Sequence, residues 1–524
     1  MTIQIDRKSK SLILPIGMKE FVSDLKHKVI EDCGKSFVAV KYDLNSYKKL
    51  KDCGLDIPHP IDTIYDWPKL ANRYDPMPHQ KVAARFMVDN KRCFNLSEPR
   101  TGKTFSIMLA FDYLRKSGQA RRMVIYSTLS TVTTVWQQIV WESFQDYTCG
   151  VIHGGKEKIE EMLSYNFDVL VINHDGCKNK AIQKYIQEAK DIDIIAWDEA
   201  DVLSSAQSAM WKTFRDSIKP QHRLILATGT PTGENPLSAF ALTKLVSPDN
   251  IPKYFGAWRN MVMYQISQFT YKARKEANTL VHKAMQPAIC FRKSEVLTLP
   301  ELTNVRIECE LSAEQKKMYD SMRKDMLMEH SSGDKVLALS ASDKVLKLLQ
   351  IGLGAYRTGE KEYQELDCQP RIDAIMECIG KTPQKSIVFC PFRGAMALYY
   401  REIGKHYSCE MVNGDTSKKE RDRIFTEFQN SSEPHVLLAH PQICAHGLEM
   451  AAADTIIWAA PSQRGLHFLQ ANERIASALQ KHPMTIFYIG ATPIEWKRFD
   501  SLIAKRDDQS ALLDLYKEIL ADRV

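Results

Sequence analysis

Between residue 79 and about residue 230, short apolar runs rich in β-branched and aromatic side chains (RCFNL, RMVIYST, VLVIN, IIAWD, RLILAT) alternate with longer stretches whose apolar positions recur at helical spacing. Runs without polar alternation predict strands buried on both faces, and such strands joined by helices predict a parallel sheet. The rhythm returns from residue 385 with KSIVFC, HYSCEMV, HVLLAH, DTIIWAA and MTIFYIG. Between the two, from 232 to about 370, the pattern is mostly helical. Upstream, SLILPI and SFVAVKY read as strands and MKEFVSDLKHKVI as a helix, while Pro58, Pro60, Pro68, Pro76 and Pro78 punctuate an extended connection. The chain is therefore expected to be α/β, with a small N-terminal α+β domain over 1–75 and a first parallel-sheet lobe over 76–231. A helical insertion and linker over 232–370, a second lobe over 371–505 and a C-terminal helix over 506–524 complete the expectation.

Composition narrows the class. The 524 residues are 44% apolar and 26% charged, ordinary for a globular chain. No run approaches the roughly 18 apolar residues of a membrane span, and the opening MTIQIDRKSK lacks the apolar stretch of a signal peptide. A soluble, cytoplasmic chain without membrane contact is expected. The 12 cysteines never form a CxxC pair, so free thiols are expected in place of a zinc knuckle or a disulfide framework.

The net charge of +7 is modest but uneven. Residues 251–293 carry Lys253, Arg259, Lys272, Arg274, Lys275, Lys283, Arg292 and Lys293 against Glu276 alone. The same stretch holds Tyr254, Phe255, Trp258, Tyr264, Phe269, Tyr271 and Phe291. Cations mixed with rings suit a polyanion whose bases can be stacked upon; the alternative is an amphipathic helical hairpin with a basic solvated face.

The chemistry begins at Ser97-Glu98-Pro99-Arg100-Thr101-Gly102-Lys103-Thr104, between strand-like CFNL and helix-like FSIMLAFDYL. Backbone N–H groups at a helix N-terminus cradle polyphosphate, Lys103 can reach the outer phosphates, and the Thr104 hydroxyl can hold Mg²⁺. The full motif wants Gly where Ser97 stands. Farther on, IDIIAWDEAD ends an apolar strand on Asp198 and Glu199. One carboxylate of such a pair can bind Mg²⁺ while its neighbour orients or deprotonates the attacking water.

With these residues in view the chain resembles the superfamily 2 helicases, specifically the Swi/Snf-like branch of double-stranded DNA translocases, over roughly residues 76 to 505. Pro78-His79-Gln80 looks like the upstream glutamine motif, which implies that Gln80 reads adenine. The stretches VIYSTLSTVTTVWQQIVWESF and VINHDGC resemble motifs Ia and Ib, and imply nucleic-acid contacts by Thr128 and Asn173. WDEADVLSSAQSAMWK resembles motif II, and ATGTPTGENPL, with Thr228, Gly229 and Thr230, resembles motif III. In the second half, FRKSEVLTLPELTNV resembles the approach to the second lobe and SIVFCPF motif IV, while MVNGDTSKKERDRIFTEF resembles the segment that follows and implies a further nucleic-acid contact by Thr416. HPQICAHGLEMAAADTIIWAAP, with Gly447, resembles motif V, and LQANERIASALQ, with Gln470 and Arg474, resembles motif VI.

The resemblance implies two RecA-like lobes and ATP with Mg²⁺ between them. Lys103, Asp198, Glu199 and Arg474 would be catalytic; Gln80, Arg100, Thr101, Gly102, Lys103, Thr104, Gly447 and Gln470 would bind nucleotide; Thr104 and Asp198 would hold the metal. Arg259, Lys272, Arg274 and Lys275 join the implied DNA contacts. Two positions depart from the family: Ser477 stands where a second motif VI arginine is usual, and Glu449 where motif V usually has Asn. The expected function is an ATP-dependent translocase or helicase that remodels duplex, forked or branched DNA as a monomer without a stable protein partner, in a prokaryotic or phage-infected cell. An RNA helicase and a nucleic-acid clamp with decayed ATPase are the alternatives.

Overall fold

A computed structural model describes residues 3–32, 34–232, 235–267, 270–331, 337–358, 362–444, 450–477 and 480–504. The N-terminal unit is an antiparallel sheet of β1 (Gln4–Asp6), β2 (Ser11–Pro15), β3 (His27–Asp32) and β4 (Lys35–Lys41) in the order β1-β2-β4-β3. The segment read as one helix over 18–30 is instead a 3₁₀ turn, Ile16–Val22, followed by β3. Gly34, at φ +73°, turns the chain so that β3 pairs along β4, and that long ladder outweighs the local helical spacing. Leu44 and Ile61 join the core of the first lobe, so the unit is packed onto that lobe.

In the first lobe β5 (Arg92–Asn95), β6 (Arg122–Ser127), β7 (Cys149–Ile152), β8 (Val169–Asn173), β9 (Ile192–Asp198) and β10 (Arg223–Ala227) are followed by a hairpin of β11 (Met263–Ser267) and β12 (Thr270–Ala273), and by β13 (Ala288–Ile289). The sheet runs β13-β5-β10-β9-β6-β8-β7, and every pairing in it is parallel. Alternation explains the unbroken apolar runs: Val124, Tyr126, Ile195 and Trp197 feed the core on one face. Met123, Ile125, Ile194 and Ala196 feed the core on the other, so neither face can be polar.

The second lobe is built on β14 (Leu302–Glu308), a small hairpin of β15 (Ala355–Arg357) and β16 (Tyr363–Glu365), and then β17 (Lys385–Phe389), β18 (Cys409–Val412), β19 (Val436–Ala439), β20 (Ala453–Trp458) and β21 (Met484–Gly490). Its parallel sheet has the order β14-β21-β20-β17-β19-β18. The stretch 232–370 is thus not a separate insertion. β13 completes the first sheet and β14 edges the second, with β14 paired to a strand about 180 residues later. The helices Ala239–Val246, Phe255–Val262 and Ala277–Ala284 contribute to the first lobe's core, because their apolar stripes find cover only there. Residues 506–524 lie outside the described residues. Among the described residues, no helix is long and apolar enough to cross a membrane.

Candidate functional site

Three neighbouring strands of the first sheet, β5, β10 and β9, run parallel and end on the same edge. The chain leaves β5 through Ser97–Gly102 into the helix Lys103–Lys116, leaves β10 through Thr228-Gly229-Thr230, and leaves β9 at Asp198-Glu199. The buried Lys103 ammonium bends back onto the loop and donates to the carbonyls of Ser97 at 2.9 Å and Glu98 at 3.3 Å. Thr104 follows, half-buried, at the second helical position. Arg100 and Gly102 both take positive φ, 72° and 81°, which coils the loop tightly over the helix start.

Gly102 also makes room for Gln80. A Cβ there would lie 2.2 Å from the Gln80 side-chain nitrogen, while the Gln80 oxygen accepts from the Met77 N–H at 3.0 Å and the His79 ring meets the Thr101 carbonyl at 2.8 Å. The glutamine motif is therefore packed directly on the loop. Gly229 does the same from the other side, where a Cβ would lie 2.6 Å from Pro99. Gly102→Ala is expected to cost about 1 to 2 kcal/mol for the left-handed backbone and to displace Gln80. Thermal melting and equilibrium binding of a fluorescent ATP analogue measure the two effects separately; unchanged binding would remove Gln80 from the nucleotide's surroundings.

At the end of β9, one oxygen of buried Asp198 accepts from the Ser127 hydroxyl at 3.2 Å and the Trp136 indole at 3.1 Å, and the other accepts the Glu199 N–H at 3.2 Å. His174, stacked on Trp197, contacts the Asp198 carbonyl at 2.8 Å. Burial, reinforced by the Glu199 charge, pushes the Asp198 carboxyl up to about 6, and Lys103 opposes the shift. Buried Asp201 is raised further for the same two reasons. Glu199 is half-buried and left-handed, at φ 52°, an unusual backbone for a carboxylate residue. Among the described residues no group of three or more His, Cys, Asp or Glu side chains could hold a metal ion by itself, so a hard cation at this edge would need the oxygens of a bound phosphate besides Asp198.

The second lobe meets this edge. The segment after β13 runs along the loop: Phe291 N–H donates to the Ser97 hydroxyl at 3.2 Å, and Lys293 N–H donates to the Glu98 carboxylate at 2.8 Å. That delivers the buried Lys293 ammonium to an ion pair with Glu473, across the cleft. Burial pushes the Lys293 ammonium down to about 7, against the pull of Glu98 and with the repulsion of Arg100, Lys103 and Arg474. Arg100, Lys103 and Arg474 thus all act on Lys293, which lines a cleft of about 310 Å³ together with Glu98, Pro99, Gly229, Gln470 and Glu473. This clustering fits a polyphosphate, whose charge would offset theirs. Gln470 is buried with its side-chain oxygen lacking a hydrogen-bond partner. Arg474, only 5% exposed, donates from Nε to the Gln470 carbonyl at 3.1 Å.

Gln80, Arg100, Thr101, Gly102, Lys103, Thr104, Asp198 and Glu199 are gathered on the first lobe's edge, with Gln470 and Arg474 on the second. Gly447 and Glu449 lie outside the described residues, and Ser477 is buried. Thr128, buried in a hydroxyl cluster with Ser130 and Thr131, follows β6, and half-buried Asn173 ends β8 on the same edge. Thr416, whose hydroxyl accepts the Asn413 N–H at 3.0 Å, sits in the turn after β18. Sequence reasoning places Lys293 only in the basic stretch and misses Glu473; the Arg-Lys pair before Leu-Pro is the available signal, but only the strand pairing of β13 brings it to the cleft.

The basic stretch therefore divides. Its end, 291–293, belongs to the cleft, whereas Lys272, Arg274 and Lys275 are exposed and Arg259 stacks over Tyr271 at 4.8 Å. Trp258 is buried in the first core, and Phe269 lies outside the described residues. The stretch is not a helical hairpin, since a β-hairpin separates its helices.

Two family models match the chain: the SNF2-related domain over residues 79–352 and the helicase conserved C-terminal domain over 370–478. The SWI/SNF chromatin-remodeling complex subunit snf22 of Schizosaccharomyces pombe is 24% identical over 394 residues, covering 68% of this chain and 23% of that protein. A protein called p41 from Acyrthosiphon pisum secondary endosymbiont phage 1 is 21% identical, covering 73% of this chain and 84% of that protein. A solved structure of the Sulfolobus solfataricus SWI2/SNF2 ATPase core in complex with dsDNA is similar at TM-score 0.40 and 18% identity, covering 86% of this chain and 96% of that one. The chain spans less than half the length of several curated relatives that it matches.

Proposed function

This chain belongs to the SNF2-related family, and from that premise we propose that it is an ATP-driven DNA translocase or helicase that remodels duplex, forked or branched DNA. The observation that carries the reading is the meeting of the two lobes at the Ser97–Gly102 loop, where Lys293 pairs with Glu473 and is acted on by Arg100, Lys103 and Arg474, on the sheet edge that also bears Asp198 and Glu199. ATP would lie in this cleft. Lys103 would hold its outer phosphates, Gln80 and Gln470 would orient it, Glu199 would take the proton of the attacking water, and Arg474 would neutralise charge that develops in transfer. Thr104 and Asp198 would hold Mg²⁺, which supplies further charge neutralisation on the phosphates when bound.

Because groups from both lobes complete the site, nucleotide binding favours the closed cleft and product release favours the open one. DNA lying across both lobes, on Thr128, Asn173 and Thr416, on half-buried Arg259 and on the exposed Lys272, Arg274 and Lys275, would be gripped in alternation. We further propose a monomeric enzyme of replication, repair or recombination, of the fork-regression, branch-migration or annealing type; similarity to a phage protein fits a cytoplasmic place for it.

Steady-state ATPase measured with no nucleic acid, RNA, single-stranded, duplex and forked DNA tests the reading. Stimulation by DNA is expected; stimulation by RNA alone favours the RNA helicase, and DNA binding without turnover favours the clamp, which the neutral, buried Ser477 motivates. Duplex binding is expected to weaken with salt at a slope of about 0.9 per phosphate contact. Arg274→Glu with Lys275→Glu should flatten that slope by about two contacts; an unchanged slope and affinity would leave these cations as a solvated face.

A further inference from the structure

The β11–β12 hairpin has two unlike faces. Met263, 8% exposed, and half-buried Tyr271 turn toward the first lobe's core, where Tyr271 lies under the Arg259 guanidinium. Arg274 pins the base of the hairpin, its backbone N–H donating to the Val262 carbonyl at 2.9 Å and its Nε to the Met263 carbonyl at 3.1 Å. The hairpin is thus held by the lobe, as a two-stranded ribbon must be to persist in water.

Its other face carries Tyr264 and Lys272, which are cross-strand partners. Beside them the register shifts between Gln265 and Ser267, which makes Ile266 the extra residue of a bulge, a device that re-aims a side chain. Tyr264 is 41% exposed and Ile266 59% exposed, next to the exposed cation Lys272. A ring and a branched alkyl group kept in water beside positive charge answer to a ligand that offers both phosphate and an accessible apolar face.

Intact duplex DNA offers only the first, because its base faces are closed within the stack. An unpaired strand offers both, and base stacking on an aromatic side chain is largely indifferent to sequence. We propose that this face of the hairpin binds the unpaired DNA strand at a junction, with Tyr264 stacking on a base, Ile266 packing against its edge and Lys272 pairing with the adjacent phosphate. The proposal rests on the reading of the chain as a DNA-driven ATPase and adds where an unpaired strand is told apart from duplex.

The test uses the full chain and two synthetic DNAs of one duplex length, one blunt and one with unpaired arms, with binding measured by fluorescence anisotropy without nucleotide and ATPase measured in parallel. Tyr264→Ala with Ile266→Ser is expected to lower affinity for the forked DNA at least about tenfold, while affinity for the blunt duplex and duplex-stimulated ATPase stay within about twofold. Tyr264→Phe keeps the ring and should bind the fork like the wild type, which a role for the hydroxyl would not allow. Equal losses on fork and blunt duplex, no loss on either, or failure of Tyr264→Phe to retain fork binding would each overturn the proposal. A wild-type ATPase that ignores every DNA, with fork-selective binding still dependent on Tyr264, would sink the motor reading and leave the hairpin assignment standing.

Discussion

Glu199→Gln is expected to lower ATP turnover by more than about 100-fold, the lower range for loss of an acid-base group, with ATP still bound and the fold intact. The amide is nearly isosteric, and the hydrogen bonds that fix the strand end belong to Asp198, whose carboxylate is held by Ser127, Trp136 and the Glu199 backbone. Lys103→Ala should lose turnover to a similar extent and weaken ATP binding as well. Its ammonium already serves as donor to two loop carbonyls, so removal takes away both the cation and the loop's own brace. Single-turnover hydrolysis with a nucleotide-binding titration separates the variants, and wild-type-like turnover in either would remove the site from this edge of the sheet.

Arg474→Ala should cost more, about 10³ to 10⁵ in rate, the range for an arginine that stabilises charge in phosphoryl transfer. A competing role is bracing the second lobe through a carboxylate. Of the two candidate carboxylates, Glu449 lies outside the described residues and Glu473 pairs with Lys293 across the cleft; Arg474 donates to the Gln470 carbonyl and acts on Lys293 together with Arg100 and Lys103. Ser477 is buried and neutral and cannot supply the missing charge. Arg474→Lys keeps the charge but loses the planar fork, so it should recover only part of the rate. Turnover at saturating DNA and thermal melting decide between the roles: a melting loss with near-normal turnover marks a brace, and another residue would then complete the site.

Unbroken apolar runs such as IIAWD and VLVIN can be satisfied only between two layers of helices, so two parallel sheets were readable from order and composition alone. The loop Ser97–Gly102 between β5 and the helix Lys103–Lys116 was readable too, because strand, glycine and cation lie within a dozen residues. The strand β3 was not, since its partner ladder competes with a locally plausible helix.

What the sequence determined by itself is what short-range chemistry fixes: the strands that must be buried, the loop before Lys103, and the carboxylates ending β9. Which distant segments meet is set by packing at long range. The stretch 232–370 is divided between two sheets because β13 finds its partner in β5 and β14 in β21. Lys293 reaches Glu473, and Arg371 is buried with Glu495 in a two-pronged pair at 2.7 and 3.0 Å, through contacts that span more than 100 residues. Burying such charges is favourable only when the opposite charge arrives with matching geometry, and no window of neighbouring residues contains that information.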